Sequence, residues 1–108
     1  SMIKIIRKQE DIILKEQVAY QEGQVVSKTL AQKDALNVTL FSFDKGEEIS
    51  THESGGDAFV TCLDGVGEIT IDGEKYELHE GEINYYAGKA SACSARKKSS
   101  LRCCCRVF

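Results

Sequence analysis

The sequence lacks proline and any long apolar run. A membrane-spanning helix needs about 20 consecutive apolar residues, and no segment approaches that length. There is also no secretory signal pattern. These absences predict a protein with no membrane partner and a cytoplasmic location.

An excess of positive charge is lacking too. Lys and Arg total 14 against 17 Asp and Glu, which gives a net charge of -3. Because binding to phosphate backbones requires a concentrated basic surface, we predict no nucleic-acid partner. The adjacent Arg96, Lys97 and Lys98 are a local exception, which we interpret as a solvated turn.

The cysteines do not form an obvious disulfide framework. There are five of them, an odd number, and Cys103, Cys104 and Cys105 are consecutive. Adjacent residues of a strand point to opposite faces, so such a triplet is poorly placed for pairing. A reducing cytoplasm is the simpler interpretation.

What the chain does contain is frequent glycine between short runs of β-type residues. The runs are 37–43, 58–63, 68–71, 75–78, 83–86 and 101–108. Short strands separated by turn residues predict an all-β sandwich or barrel. The clearest hairpin is 68–76, where Ile69 and Ile71 alternate with polar residues and Asp72-Gly73 provides a two-residue turn with positive φ angles.

The first third of the chain is less regular. The apolar runs 3–6 and 12–14 fit either edge strands or a short helical turn, and 25–30 is interpreted as a strand. We interpret Ser1 and Met2 as a tag remnant and a start residue. We expect one domain over 3–108, with an N-terminal arm at 3–30 and a barrel core at 37–108.

Two glycine-framed segments carry the most specific pattern. In the first, Gly46 opens the frame, His52 follows after five residues, Ser54 comes two residues later, and Ala58 and Gly65 complete it. In the second, Gly81 opens the frame and Ala92 closes it, with a turn at 87–89. The predicted hairpin lies between them.

Together these segments resemble the two sequence motifs of the cupin superfamily. The resemblance covers residues 37–95 well and extends loosely to Phe108. It implies a double-stranded β-helix, which is a jelly-roll cupin barrel of two antiparallel sheets with a cavity at one mouth. Small cupins commonly form homodimers, often by exchanging an N-terminal strand, which would give 25–30 a place.

The resemblance also shows which ligands are missing. In metal-bearing cupins three imidazoles and a carboxylate hold a divalent transition metal. This chain has His52 at the first position, and Ser54, Ala58 and Ala92 at the other three. Because one imidazole does not hold a catalytic metal against water, we predict no metal and no cofactor.

We predict that a small molecule binds at the barrel mouth. The ligand-binding residues that we expect there are His52, Ser54, Asp57, Tyr86 and Arg102. His52 is either a hydrogen-bonded structural residue or a polar anchor or general base. Strand alternation points Asp57 away from the cavity, so Asp57 enters the mouth only if a bulge near the preceding glycines turns it inward.

The last strand leaves two interpretations open. By alternation, Arg102, Cys104 and Arg106 share one face, and the other face carries Leu101, Cys103, Cys105 and Val107. Either the aliphatic face is buried and the arginines lie outside, or Arg102 and Arg106 face the cavity and bind a carboxylate or phosphate.

Three functions remain in competition. The first is a small-molecule-binding barrel without a catalytic metal. The second is a metal-dependent enzyme of the isomerase, decarboxylase or dioxygenase type that uses substituted ligands, with His52, Asp57 and Cys93 as candidates. The third is a structural dimerisation module whose cavity is filled by side chains such as Phe59 and Tyr86.

Overall fold

The computed structural model describes the placement of residues 3–4, 9–34, 36–53, 56–87 and 90–108, and the side chains of these except 3, 4, 50–53 and 90. The described chain is β-structure apart from a 3-10 helix at Leu14–Gln17. The strands are β1 (Ile3–Lys4), β2 (Val25–Lys33), β3 (Leu36–Phe43), β4 (Glu48–Glu53), β5 (Ala58–Ile71), β6 (Glu74–His79), β7 (Ile83–Tyr86), β8 (Ala90–Ala95) and β9 (Leu101–Val107).

The strands form two antiparallel sheets that share β5. The first sheet has the order β1-β2-β3-β9-β5-β7, and the second has the order β6-β5-β8-β4. The long β5 pairs with β9 over residues 58–65 and with β8 over residues 67–71. This arrangement confirms the predicted all-β jelly-roll barrel of two antiparallel sheets.

The strand β5 is one element where the sequence predicted two runs, 58–63 and 68–71. The chain stays extended through residues 64–67, and the register with β9 shifts between Cys62 and Asp64. Gly65 has a φ of +79° at this point. The bulge and the glycine therefore bend one strand from the first sheet into the second without ending it.

The hairpin between β5 and β6 is confirmed. Ile71 pairs with Glu74, so Asp72 and Gly73 form the two-residue connection. Their φ angles are 52° and 84°. Two consecutive positive φ angles define the turn that the right-handed twist of the strands favours.

The main core lies between the two sheets. Its buried members are Phe43, Val60, Cys62, Ile69, Leu78, Ala95, Leu101 and Cys103. A smaller cluster of Val18, Leu30 and Leu40 lies on the outer face of the first sheet, where the N-terminal arm packs. The Ser42 hydroxyl donates a 2.7 Å hydrogen bond to the Ala19 carbonyl oxygen and fixes the arm there. The arm therefore covers the outer face of β3 and β9.

The two N-terminal runs have different structures. Residues 3 and 4 form the edge strand β1, while residues 5–8 lie outside the described part of the chain. The run at 12–14 leads into the 3-10 helix, so the helical turn is the correct one of its two predicted alternatives. Within the described ranges, no helix has the length and apolar character needed to cross a membrane.

Candidate functional site

A cavity of about 140 Å³ lies between the two sheets. Strand alternation builds its wall, because every second residue of β3 and β9 faces inward. The lining residues are Asn37, Thr39, Phe41, Phe43, Ile49, Val60, Ile69, Tyr86, Ser91, Ala92, Cys93, Cys103, Cys105 and Val107. Most of this wall is apolar, as is usual for small-molecule sites.

The polar groups are concentrated at one end of the cavity. The register places Asn37 beside Val107, Val107 beside Ala58, and Ala58 beside Tyr86 in one row across the first sheet. Asn37, Val107 and Tyr86 are half-buried, whereas Phe43, three inward positions further along β3, is completely buried. The row that contains Asn37 and Tyr86 is therefore the mouth, and Phe43 lies at the deep end.

Some polar side chains of the mouth form hydrogen bonds with one another. The Thr39 hydroxyl donates a 3.1 Å hydrogen bond to Asn37 Oδ1, and the Tyr86 and Ser91 hydroxyl oxygens are 3.4 Å apart. Burial raises the pKa of Tyr86 above its usual value. Tyr86 is therefore protonated at neutral pH and can donate a hydrogen bond to an acceptor in the cavity.

Of the predicted site residues, Tyr86 lines the cavity. The backbone of His52 lies opposite Ser91 in the register of β4 and β8, and Ser91 also lines the cavity. The side chain of His52 lies outside the described residues, and so does all of Ser54. For Tyr86, His52 and Ser54 alike, the ligand-binding role stays a prediction.

Asp57 does not lie at the mouth, which corrects the expected placement. Its carboxylate accepts a 2.6 Å hydrogen bond from the Tyr85 hydroxyl, and both side chains are exposed. The next residue, Ala58, is fully buried. Strand alternation thus directs the side chain of Asp57 outward.

Arg102 also lies on the opposite face of its strand from the cavity. Its guanidinium donates hydrogen bonds to Asp64 Oδ2 at 2.8 and 3.2 Å and lies 4.8 Å from the centre of the Tyr20 ring. Cys103 and Cys105 line the cavity instead. The interpretation with the aliphatic face inside is therefore correct, and the placement of Arg102 at the mouth is corrected. Arg106 is likewise exposed and lies 4.7 Å from the Phe108 ring.

The Arg102 cluster fixes the N-terminal arm to the barrel. The Tyr20 hydroxyl donates a 2.8 Å hydrogen bond to the same Asp64 oxygen that Arg102 contacts. This hydrogen bond, together with the Arg102 guanidinium, holds the pKa of Asp64 below its usual value. The carboxylate thus links the arm, β5 and β9.

We expect Asp64→Asn to lower the free energy of unfolding at neutral pH by about 1–2 kcal/mol, because it removes the charge from these hydrogen bonds. A carboxylate with a lowered folded-state pKa stabilises the fold above its unfolded pKa, and this contribution is lost as the pH falls through the folded pKa. The difference in the free energy of unfolding between wild type and variant should therefore persist above about pH 5 and disappear in stronger acid. Urea unfolding across this pH range measures it.

The matched control is Glu77→Gln. Glu77 forms a 2.7 Å ion pair with Arg96, but the two side chains are 47% and 49% exposed. Exposed pairs contribute little to stability, so this variant should unfold like the wild type. Equal losses for the two variants would show that the Asp64 cluster does not stabilise the attachment of the arm.

The donor set does not fit the family's metal centre. Ala58 is fully buried where a ligating glutamate would stand. At the aligned position of β8, Ala92 borders the cavity but has no side-chain donor. In the described part of the chain, no group of three His, Cys, Asp or Glu side chains is placed to hold a metal ion.

Several lining residues were missed at the level of sequence. Asn37 and Thr39 lie four and two residues before Phe41 on the same face of β3, so period-two counting back from the aromatic pair could have found them. Nothing in the sequence indicated Ser91 as a lining residue, because the second glycine frame aligned its neighbour Ala92 with the ligand position. The third candidate function places Phe59 inside the cavity, but its ring packs outside against Tyr85 and Phe108 at 5.0 and 5.1 Å.

Comparison with known proteins identifies the family. The profile of the cupin domain matches residues 39–90. A cupin superfamily protein from Desulfitobacterium hafniense is 29% identical with a TM-score of 0.87, and the match covers 97% of this chain and 95% of that chain. A conserved protein of unknown function from Streptococcus pyogenes is 36% identical with a TM-score of 0.84, covering 99% and 94%.

A third match is a cupin 2 conserved barrel domain protein from Leptotrichia buccalis, which is 34% identical with a TM-score of 0.81 over 86% of this chain and 45% of that chain. No curated protein matches the chain. The two sequence motifs, the two-sheet barrel and these similarities all indicate the same family. The chain belongs to the cupin superfamily.

Proposed function

We propose that this cupin barrel binds a small molecule in the cavity between its sheets and does so without a catalytic metal. The observation that carries the proposal is the cavity itself, with apolar walls and hydrogen-bonding groups at its mouth. Typical drug-sized ligands occupy roughly 300–1,000 Å³. The cavity here is about 140 Å³, close to the ~150 Å³ at which an apolar cavity holds benzene. The ligand is thus a compact molecule, mainly apolar, with one or two polar groups.

Phenol is a suitable probe, because its ring matches the apolar walls and its hydroxyl group can bond to Tyr86 or Ser91. We expect it to bind with a dissociation constant on the order of 1 mM, as suits a ligand of this size. In a titration followed by amide NMR, the shifted resonances should belong to residues along the cavity, including Ser91, Cys93 and Cys105.

Two variants of β9 provide the control. Cys105→Phe places a large ring in the cavity and should weaken phenol binding at least about tenfold. Arg106→Phe adds the same ring on the exposed face of the strand and should leave binding unchanged. If both variants bind phenol equally, or if the shifts cluster on the outer face, the cavity is not the binding site.

The alternative is a metal-dependent enzyme with substituted ligands. It requires His52 to hold a metal with groups other than Asp57, which faces outward. Elemental analysis of purified protein should find no stoichiometric transition metal. One equivalent of iron, manganese, nickel, copper or zinc that disappears in His52→Ala would defeat the metal-free proposal and favour the enzyme alternative.

A homodimer is also proposed. On β7, which ends the first sheet among the described strands, Ile83 is 54% exposed and Tyr85 is 60% exposed. Such an apolar edge is a surface that a second chain would cover. Light scattering after size-exclusion chromatography should give the mass of two chains, and the mass of one chain would refute the dimer.

A reducing, cytoplasmic location is the final part of the proposal. All five cysteines are unpaired, and two of them, Cys62 and Cys103, are buried. Free thiols of this number persist most readily where thiols are kept reduced. Fractionation of the native host with an antibody to the protein tests this location, and recovery outside the cytoplasm would contradict it.

A further inference from the structure

Three of the five cysteines line the cavity. They are Cys93 on β8 and Cys103 and Cys105 on β9. Cys104 lies on the outer face of β9 and packs against the small cluster that contains Leu40. The thiol of Cys62 is directed to the carbonyl oxygens of Asp64 and Gly65, at 3.7 and 3.4 Å. The cavity therefore has a group of thiols that the proposed binding of a small molecule does not use.

Cys93 and Cys103 belong to different parts of the barrel wall. Cys93 pairs with Ile69 in the second sheet, and Cys103 pairs with Cys62 in the first sheet. Both pack in the same core cluster, where Cys103 is only 2% exposed. The two side chains therefore lie on facing walls of the same cavity of about 140 Å³. A covalent bond between them would join the two sheets across the barrel.

The surroundings make these thiols unequal. The neighbouring thiol of Cys103 lowers the pKa of Cys93, whereas the interaction with Cys93 and burial raise the pKa of Cys103. Burial raises the pKa of Cys105 to about 11. The thiolate is the reactive form of cysteine, and of this pair Cys93 is the thiol that an oxidant in the cavity reaches first. It is also half-buried, whereas Cys103 is buried.

We propose that Cys93 and Cys103 form a reversible dithiol–disulfide pair that is oxidised by a hydroperoxide entering the cavity. In the first step the sulfur of Cys93 attacks a peroxide oxygen, a sulfur–oxygen bond forms and the oxygen–oxygen bond breaks. The departing oxygen takes a proton and leaves as alcohol or water, and Cys93 becomes a sulfenic acid.

In the second step the sulfur of Cys103 attacks the sulfur of Cys93. The disulfide bond forms, the sulfur–oxygen bond breaks, and the oxygen leaves as water with the proton of the Cys103 thiol. One hydroperoxide is reduced by two electrons, and two thiols are oxidised to one disulfide. A transient disulfide of this kind suits a reducing compartment, where disulfides are usually catalytic or sensing.

Treatment of the reduced protein with tert-butyl hydroperoxide tests the proposal. Of the five thiols, two should disappear, and the intact mass should fall by two hydrogen atoms. Peptide mapping should find Cys93 linked to Cys103. Dithiothreitol should restore both the thiols and the mass.

Single variants identify the pair. Cys93→Ser and Cys103→Ala should each abolish the disulfide, while Cys104→Ser, on the other face of β9, should keep it. Circular dichroism shows whether each variant is folded, and the peptide map of the wild type gives an independent answer if one is not. The proposal is overturned if the treated wild type keeps all its thiols, if Cys93 only gains oxygen atoms, or if the mapped disulfide involves Cys104 or two chains.

Discussion

Gly65→Ala should lower the free energy of unfolding by more than about 3 kcal/mol. The backbone at Gly65 has a φ of +79°, a conformation that residues with a Cβ rarely adopt. A Cβ at this position would also overlap with the carbonyl oxygen of Ser100. That oxygen accepts a hydrogen bond from the amide of Val66 at 3.3 Å, so the Ser100 backbone is held in place. Urea unfolding measures the loss.

Gly73→Ala separates the two causes of this effect. Gly73 has a similar φ of +84°, but nothing lies within 4 Å of a Cβ built there. Gly73→Ala should lower the free energy of unfolding by about 1 kcal/mol, which is the usual cost of a positive φ for a residue with a Cβ. If the two variants lose the same stability, the close approach of β5 to Ser100 is not what requires glycine at 65.

Phe43→Ala is the second large effect, with an expected loss of about 3–5 kcal/mol in the free energy of unfolding. Phe43 is completely buried, belongs to the main core and lies at the deep end of the cavity. Its removal gives up apolar burial and adds the volume of the ring to the cavity. Phe59→Ala, which truncates a half-buried ring outside the barrel, should cost clearly less.

The enlarged cavity of Phe43→Ala also gives a ligand-dependent result. A molecule that binds only the folded state raises its stability in proportion to occupancy. The bicyclic 1-naphthol should therefore raise the melting temperature of Phe43→Ala more than that of the wild type. An equal effect on both proteins would mean that the space around Phe43 is not continuous with the binding site.

The barrel could be predicted from sequence because its signals are local. The alternation of Ile69 and Ile71 and the Asp72-Gly73 turn determine a hairpin without reference to any other part of the chain. Likewise, period two placed Cys103 and Arg102 on opposite faces of β9, although the expectation of Arg102 at the mouth chose the wrong face for it. These local rules hold in the structure.

The predictions that failed concern features that depend on the tertiary structure. The glycines at 65 and 67 resemble a turn, yet there the strand bends from one sheet to the other, and only the pairing of β5 with β8 and β9 shows it. Arg102 finds its partner in Tyr20, which is distant in sequence. Ser91 lies opposite Ile71 and Cys93 opposite Ile69 in the pairing of β8 with β5, and a motif spacing does not specify this register.

A crystal structure of the protein grown with phenol tests the central claim most directly. We predict electron density for one phenol molecule between the sheets, with its ring near Phe41 and Cys105 and its hydroxyl group directed to Tyr86 or Ser91. Density for water alone in that space would contradict the binding claim. A coordinated ion beside the imidazole of His52 would contradict the claim that this barrel works without a metal.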